Sequence, residues 1–318
     1  MSVNNHRFYD AARENMIKVG IVDFDTSHVV AFTQRINHVD VDSAQWVNGA
    51  KVTIGCPGES LLSPERIPGF TQQMQKYGVP LVETPEEIIG RVDAVMIESV
   101  DGNVHYDRTL PFLEAGIPIF IDKPLACSLE HAKAIANLAK DRSAPIFSSS
   151  SLRYAPEVIK TQEAQDEVGK ILGAEVCTTA TLHPRNPGLF HYGIHGVETL
   201  YALMGPGCQS VWATSNDDTD VISGLWYDGR MGTLRGIRKG HSGFGFTTYH
   251  EKSIVRTSID TNFIYREILK EIIKMFETGE SPIDISESIE IIAFIEATAR
   301  SAKNHGSKTE LAYTFEGE

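Results

Sequence analysis

"IKVGIVDFDTSHVVAFTQRINH", residues 17–38, carries the reading on which the fold turns. Its first part, "IKVGIV" (17–22), is a short apolar, β-branched run of the kind buried on both faces of a sheet. "HVVAFTQRINH" (28–38) has its apolar residues at helical spacing. A strand feeding a helix through so short a turn opens a βαβ unit. Turns of this kind that cradle phosphate are built from glycines, but this one carries Asp23, Phe24, Asp25, Thr26, Ser27 and His28. Asp25 or Thr26 is expected to cap a helix entering at Val29, where the helix dipole favours a carboxylate. A cap accounts for one aspartate and leaves the other unexplained.

The same alternation continues to about residue 148. "KVTIGC" (51–56), "DAVMIES" (93–99), "IPIFID" (117–122) and "APIFSSS" (144–150) read as strands, with amphipathic segments between them. The clearest is "SLEHAKAIANLAKDR" (128–142), which Ser128 can cap and whose Ala132, Ile135, Ala136 and Leu138 form an apolar face. Strands alternating with helices predict a doubly wound parallel sheet. After about 150 the segments become strand-like with hairpin signals, such as "YDGR" at 227–230, and helices fall at 193–205, 262–278 and 285–303. The expected organisation is therefore a Rossmann-like α/β domain with a doubly wound parallel sheet over 1–150, then an α+β domain over 151–318 with a mostly antiparallel sheet.

A formal net charge of −13 over 318 residues, with no long Lys/Arg cluster, argues against nucleic acid and membrane surfaces as partners. Cys56, Cys127, Cys177 and Cys208 are widely spaced and form no C-x-x-C pair. That spacing suits a reducing compartment better than a disulfide framework or structural zinc. "MSVNNHRFYDAARENM" (1–16) has no continuous apolar core, so it does not read as a secretion signal, and a cytoplasmic location is expected.

"ESVDGNVHYDRTLPFLEAGIPIFIDKPLACSLEHAKAIANLAK" (98–140) resembles the second half of the nucleotide domain of the Gfo/Idh/MocA oxidoreductases. The resemblance runs on, in order, through "SLRYAPEV" (151–158), "GKILGAE" (169–175), "HYGIHGVETLYALMG" (191–205) and "FETGESPIDISESIEIIAFIEATARSAKNHG" (276–306). It implies hydride transfer between NAD or NADP and a small-molecule sugar, cyclitol or related polyol, in a homodimer or homotetramer packed through the open sheet. By position, the resemblance makes Lys123 of "DKP" and His195 of "GIHG" the catalytic pair, with Pro124 a candidate for a cis peptide. Imidazole suits the proton transfer that accompanies hydride loss from an alcohol, and an ammonium suits the developing alkoxide. His191 joins the catalytic set at i, i+4 from His195, a spacing that shares one face of a helix, although the family more often has Asp there. Arg153, Tyr154, Tyr192 and His195 are expected at the substrate. The turn residues 23–28, with Ser99, Val100, Asp122 and Lys123 at later strand ends, make the expected cofactor-binding set.

The departures lie where the cofactor is read. Asp23, Asp25 and His28 replace the family's three glycines, and two carboxylates at a pyrophosphate seat would repel it. Strand two ends in "TIGCPGES", with Glu59 as the nearest acid for an adenosine ribose and only Arg66 not far for a 2′-phosphate. Three readings stay open: a dehydrogenase with an altered phosphate turn; a family member without redox chemistry that binds a small ligand or partner; and a non-redox enzyme using Asp23, Asp25, His28, His105 and His195 as acid–base or metal groups. The His191/His195 pair by itself has too few ligands for a metal, and none is assigned.

Overall fold

The computed structural model describes residues 16–313, so the reading of 1–15 as no secretion signal falls outside it. Strands β1 (Ile17–Val22), β2 (Ala50–Cys56), β3 (Ala94–Ile97), β4 (Ile119–Asp122) and β5 (Ile146–Ser149) form one parallel sheet in the order β2-β1-β3-β4-β5. Helices α1 (His28–Asn37), α2 (Ile67–Lys76), α3 (His105–Glu114) and α4 (Leu129–Arg142) make the crossovers. Val19, Ile21 and Val22 are fully buried, as expected of a strand covered on both faces. Ser128 caps α4 as read from the sequence, its Oγ accepting from the His131 N–H at 3.2 Å.

The second sheet has seven strands. α5 (Pro156–Glu163) and a single turn at 165–168 lead into β6 (Ile171–Thr179), and α6 (Ile194–Met204) then precedes β7 (Cys208–Ser215). β8 (Thr219–Trp226), β9 (Met231–Ile237), β10 (Gly245–His250) and β11 (Ile254–Ser258) follow, and β12 (Thr309–Glu310) closes the sheet. The order is β11-β10-β6-β9-β8-β7-β12, and every pairing is antiparallel except β6 with β9. The "YDGR" turn joins β8 to β9, and Gly229 supplies the left-handed φ of 84° that the turn requires.

Two long helices bind the sheets together. α7 (Ile264–Thr278) returns to the first sheet, where Ile268, Leu269, Ile272 and Ile273 share a core with Val19, Phe24 and Phe32. α8 (Ile285–Lys303) is largely buried, and its Glu290 carboxylate accepts from Tyr201 Oη at 3.0 Å and from the N–H groups of Gly207 and Cys208 at 2.8 Å each. Both helices come from the last part of the chain, so the parallel sheet is completed only when the C-terminal segment docks on it. All four cysteines are free thiols. Among the described residues no helix is long and apolar enough to cross a membrane.

α6 is buried over its whole length and lies close against the second sheet. A Cβ on its Gly196 would sit 2.5 Å from Thr178 Cγ2 and 2.6 Å from Leu234 Cδ1. The absent side chain thus sets the height of the neighbouring His195 above the sheet. Gly196→Ala should lower the unfolding free energy in urea by about 1 to 3 kcal/mol through overpacking; an unchanged midpoint would show that this contact yields freely.

Candidate active site

The carboxyl ends of all five parallel strands face one edge, where a switch in strand order opens a crevice for ligands. Asp23, the first residue of the acidic turn, has φ 64°, a left-handed conformation that Asp tolerates better than most residues. Its Oδ2 accepts from Ser99 Oγ and from Arg108 Nε, the latter at 2.8 Å. Gly58 at the end of β2 makes room for this group: a Cβ there would lie 1.8 Å from Asp23 Oδ1. Asp25 accepts from the Val100 N–H at 3.0 Å and from Ser60 Oγ at 2.6 Å. Burial pushes both carboxyls up from their ordinary value, opposed at Asp23 by Arg108 and Ser99 and at Asp25 by Ser60 and the Val100 N–H.

These contacts correct three expectations. The two carboxylates do not stand at the mouth of the crevice; they point inward, between the ends of β1, β2 and β3, where each has donors. Neither Asp25 nor Thr26 caps a helix at Val29: α1 starts at His28, its cap residue Ser27 makes no side-chain cap bond, and Thr26 Oγ1 accepts only a long 3.4 Å bond from the His28 N–H. Phe24 can offer a ligand only backbone, because its ring is fully buried against Gly55.

His28 lies across the floor of the crevice. Its ring stacks on Phe32 (5.1 Å between centroids) and meets the edge of Tyr265 from α7 at 5.0 Å. His28 Nδ1 is 2.8 Å from Asp122 Oδ2 at the end of β4. The Lys123 N–H donates to Asp122 Oδ1 at 2.9 Å, and Lys123 Nζ lies 3.4 Å from Oδ2. Burial works against ionisation of Asp122, but His28 and Lys123 together hold its carboxyl well below the ordinary value. Beside them Glu98, at the end of β3, is wholly buried, and neither of its oxygens has a hydrogen-bond partner. Burial, with Asp122 adding to it, pushes this carboxyl well above its ordinary value.

Over this floor is a cavity of about 570 Å³ that brings Thr26, Ser27 and His28 of the turn together with Lys123, His191, Tyr192 and His195. The peptide between Lys123 and Pro124 is cis. His195 Nδ1 is 2.6 Å from Ser150 Oγ, which also accepts from the Leu152 N–H at 3.1 Å, so the imidazole is anchored to the end of the first sheet. Burial and the Lys123 ammonium push the His195 imidazole well below its ordinary value, leaving it neutral near neutral pH. His191 is lowered to about 4 by burial, His183 and Lys123. His191 lies in the turn ahead of α6, so the two imidazoles share the cavity without sharing a helical face.

Other expected residues stand elsewhere. Arg153 is 7% exposed and does not line the cavity; its Nε is 2.9 Å from Glu198 Oε2 and its Nη2 is 2.6 Å from Glu287 Oε1. Tyr154 packs edge-on to Phe147 at 6.0 Å and also stands away from the cavity. A residue just past a parallel strand can turn toward the crevice or toward the neighbouring helices, and the two carboxylates of α6 and α8 decide it here. His105 sets both ring nitrogens against carbonyls, Nδ1 2.8 Å from Pro124 O and Nε2 2.9 Å from Ser99 O, which ties the third strand's turn to the fourth's and leaves no free nitrogen for acid–base work. Glu98, Ser150, Phe244 and Tyr265 were not singled out in the sequence. For Glu98 the signal was an acid at the carboxyl end of a parallel strand; Tyr265 carried none.

Residues 63–149 match the GFO_IDH_MocA model, described as an oxidoreductase family with an NAD-binding Rossmann fold. The chain is 27% identical over 207 residues to the 1,5-anhydro-D-fructose reductase of Ensifer adhaerens, a match spanning 60% of this chain and 62% of that enzyme. It is likewise 27% identical to the inositol 2-dehydrogenase of Rhizobium meliloti, over 41% of this chain and 42% of that one. The scyllo-inositol dehydrogenase of Lactobacillus casei, solved with NAD(H) and scyllo-inositol, shares the fold with a TM-score of 0.76 at 15% identity, covering 93% of this chain and 99% of that one. The curated relatives are thus matched over less than two thirds of their length.

The contrast between Arg153 and the cavity wall can be measured. Arg153→Met strips two buried carboxylates of their partner and should cost about 3 to 5 kcal/mol of unfolding free energy. Tyr192→Phe, at the half-open wall, should shift it by less than about 0.5 kcal/mol; equal effects would return Arg153 to the cavity.

Proposed function

We propose that this chain, whose residues 63–149 carry the nucleotide-binding part of the Gfo/Idh/MocA oxidoreductases, transfers hydride between a nicotinamide dinucleotide and a hydroxyl carbon of a sugar or cyclitol. The observation that carries the reading is the meeting of Lys123, from the end of the first sheet, with a neutral His195, from the first turn of α6, in one cavity. The two residues come from separate layers and serve no packing purpose in common.

The residues present fit the dinucleotide. Asp23 keeps the left-handed backbone that the first glycine of a phosphate turn would take, and its charge is met by Arg108 and Ser99. A second cavity of about 440 Å³, lined in part by Gly58, Glu59, Ser60 and Arg108, adjoins the turn on the β2 side and suits an adenosine. Thr26 and Ser27 stand between the two cavities and would hold the diphosphate. Glu59 favours a ribose diol over a 2′-phosphate, and Arg108 is already paired with Asp23, so NAD is the expected cofactor. When bound, the nicotinamide supplies the hydride acceptor.

The chain's own residues do the rest. Lys123 Nζ stabilises the oxygen that becomes an alkoxide, more strongly for being buried. His195 takes the hydroxyl proton, with Ser150 fixing the ring's orientation. The neighbouring rings of Tyr192 and Phe244, centred 4.9 Å and 6.0 Å from that of His195, exclude water from the imidazole. Assembly follows from the open sheet: Leu172, Val221, Met231 and Ile254 are all exposed apolar residues on its strands, and a second copy of the chain is the expected cover.

Fluorescence titration should show NADH binding about tenfold tighter than NADPH, and absence of both at millimolar concentration would overturn the oxidoreductase reading. With myo-inositol and 1,5-anhydro-D-fructose as probe substrates, His195→Ala should lower kcat/KM by about 10²- to 10⁴-fold. A depressed imidazole pKa leaves the base form intact through neutral pH, so the acid limb of kcat/KM should fall below pH 6.5; a limb above that value would assign the base elsewhere.

A further inference from the structure

The geometry points to a binding site for a divalent first-row metal ion, of the zinc or manganese class, formed by His28, Glu98 and Asp122 at the floor of the crevice. One donor atom from each of the three lies within 4.8 Å of the other two, and all three residues are buried. His28 Nδ1 is 2.8 Å from Asp122 Oδ2 and 3.8 Å from Glu98 Oε2. Metal–ligand bonds of about 2.0 to 2.2 Å place neighbouring donors on the order of 3 to 3.5 Å apart, so the His28 separations already lie close to that range, and the Glu98 and Asp122 oxygens, within 4.8 Å of each other, need a combined shift on the order of 1 Å to close on an ion.

Glu98 is the independent sign that something is held there. It is 0% exposed, and both oxygens lack a hydrogen-bond partner, whereas the adjacent Asp122 is met by His28 and by Lys123. Protonation alone does not satisfy Glu98, because a carboxylic acid still needs an acceptor for its hydrogen, and neither oxygen has a hydrogen-bond partner, His28 Nδ1 standing 3.8 Å from Oε2. A cation satisfies it directly. One imidazole with two carboxylates suits zinc, manganese or ferrous iron better than calcium or magnesium.

The charges also balance. Two carboxylates offset a dication: binding takes Glu98 and Asp122 as carboxylates, with any carboxyl proton released to solvent, and takes His28 through Nδ1 with its ring hydrogen on Nε2. The Lys123 ammonium is then left as the net charge at the cavity wall. The donors come from the first residue of α1, the residue that follows β3 and the last residue of β4, so the ion would join three chain segments beneath the cavity. This site explains what the third glycine position of the turn is doing with a histidine. It stands independently of the hydride-transfer reading.

The test uses the full-length chain, stripped with EDTA and dialysed against Zn²⁺ or Mn²⁺, with bound metal counted by elemental analysis and stability followed by thermal unfolding. One equivalent of metal and a raised Tm are expected, with at least tenfold weaker binding in both Glu98→Gln and His28→Gln, and unchanged binding in His191→Ala. Folding of each variant is checked by circular dichroism, and either folded variant suffices to decide. No metal bound at about 100 µM free Zn²⁺ or Mn²⁺ overturns the site, as does equal binding by wild type and the Glu98 and His28 variants. NADH titration of the same preparations reads the other proposal separately: metal without NADH overturns hydride transfer alone, and NADH without metal overturns this site alone.

Discussion

A carboxylate carried into the interior must find a donor or a counter-charge, and that requirement shapes this molecule at the ends of its parallel strands. Asp23 obtains Ser99 and Arg108, and Asp25 obtains Ser60 and a backbone N–H. Asp122 obtains His28 and Lys123. These pairings bind the first, second, third and fourth strand turns to one another. They also explain neighbours that look unremarkable in sequence, such as Gly58, whose missing side chain leaves space for the Asp23 carboxylate.

The same requirement works between the sheets. Arg153 sits between Glu198 of α6 and Glu287 of α8, and Glu290 of α8 collects the Tyr201 hydroxyl and two backbone N–H groups. α6 is thereby fixed from behind by ion pairs and from below by the close approach at Gly196. His195 is presented on that fixed element, and the hydroxyl of Ser150 holds its imidazole. Placement of the His195 imidazole thus depends on charges that never touch the cavity.

Function at the crevice is a matter of which polar groups the fold leaves facing outward. The turn acids are met by donors, so the wall of the larger cavity is made largely of Thr26, Ser27, Lys123 and imidazoles, with Glu65 and Arg66 also lining it, while Asp25 lines the smaller cavity. The electrostatic conflict suggested by the composition of the turn is eased by the donors that Asp23 and Asp25 each hold.

The chain alone determined the strand–helix alternation to residue 148, the hairpin at 227–230 and the cap at Ser128, because each rests on local periodicity or turn chemistry. It could not settle the direction in which Asp23, Asp25 and Arg153 point, since backbone spacing places a Cα and not a carboxylate or a guanidinium. Nor could it bring Glu98, His28 and Asp122 together, or set Tyr265 against His28. Those neighbours are 24 to 237 positions apart in the chain, and only the docking of strands in the order β2-β1-β3-β4-β5, with α7 returning over them, makes them adjacent. Burial then decides which of the charged groups must pair, and pairing decides where each side chain goes.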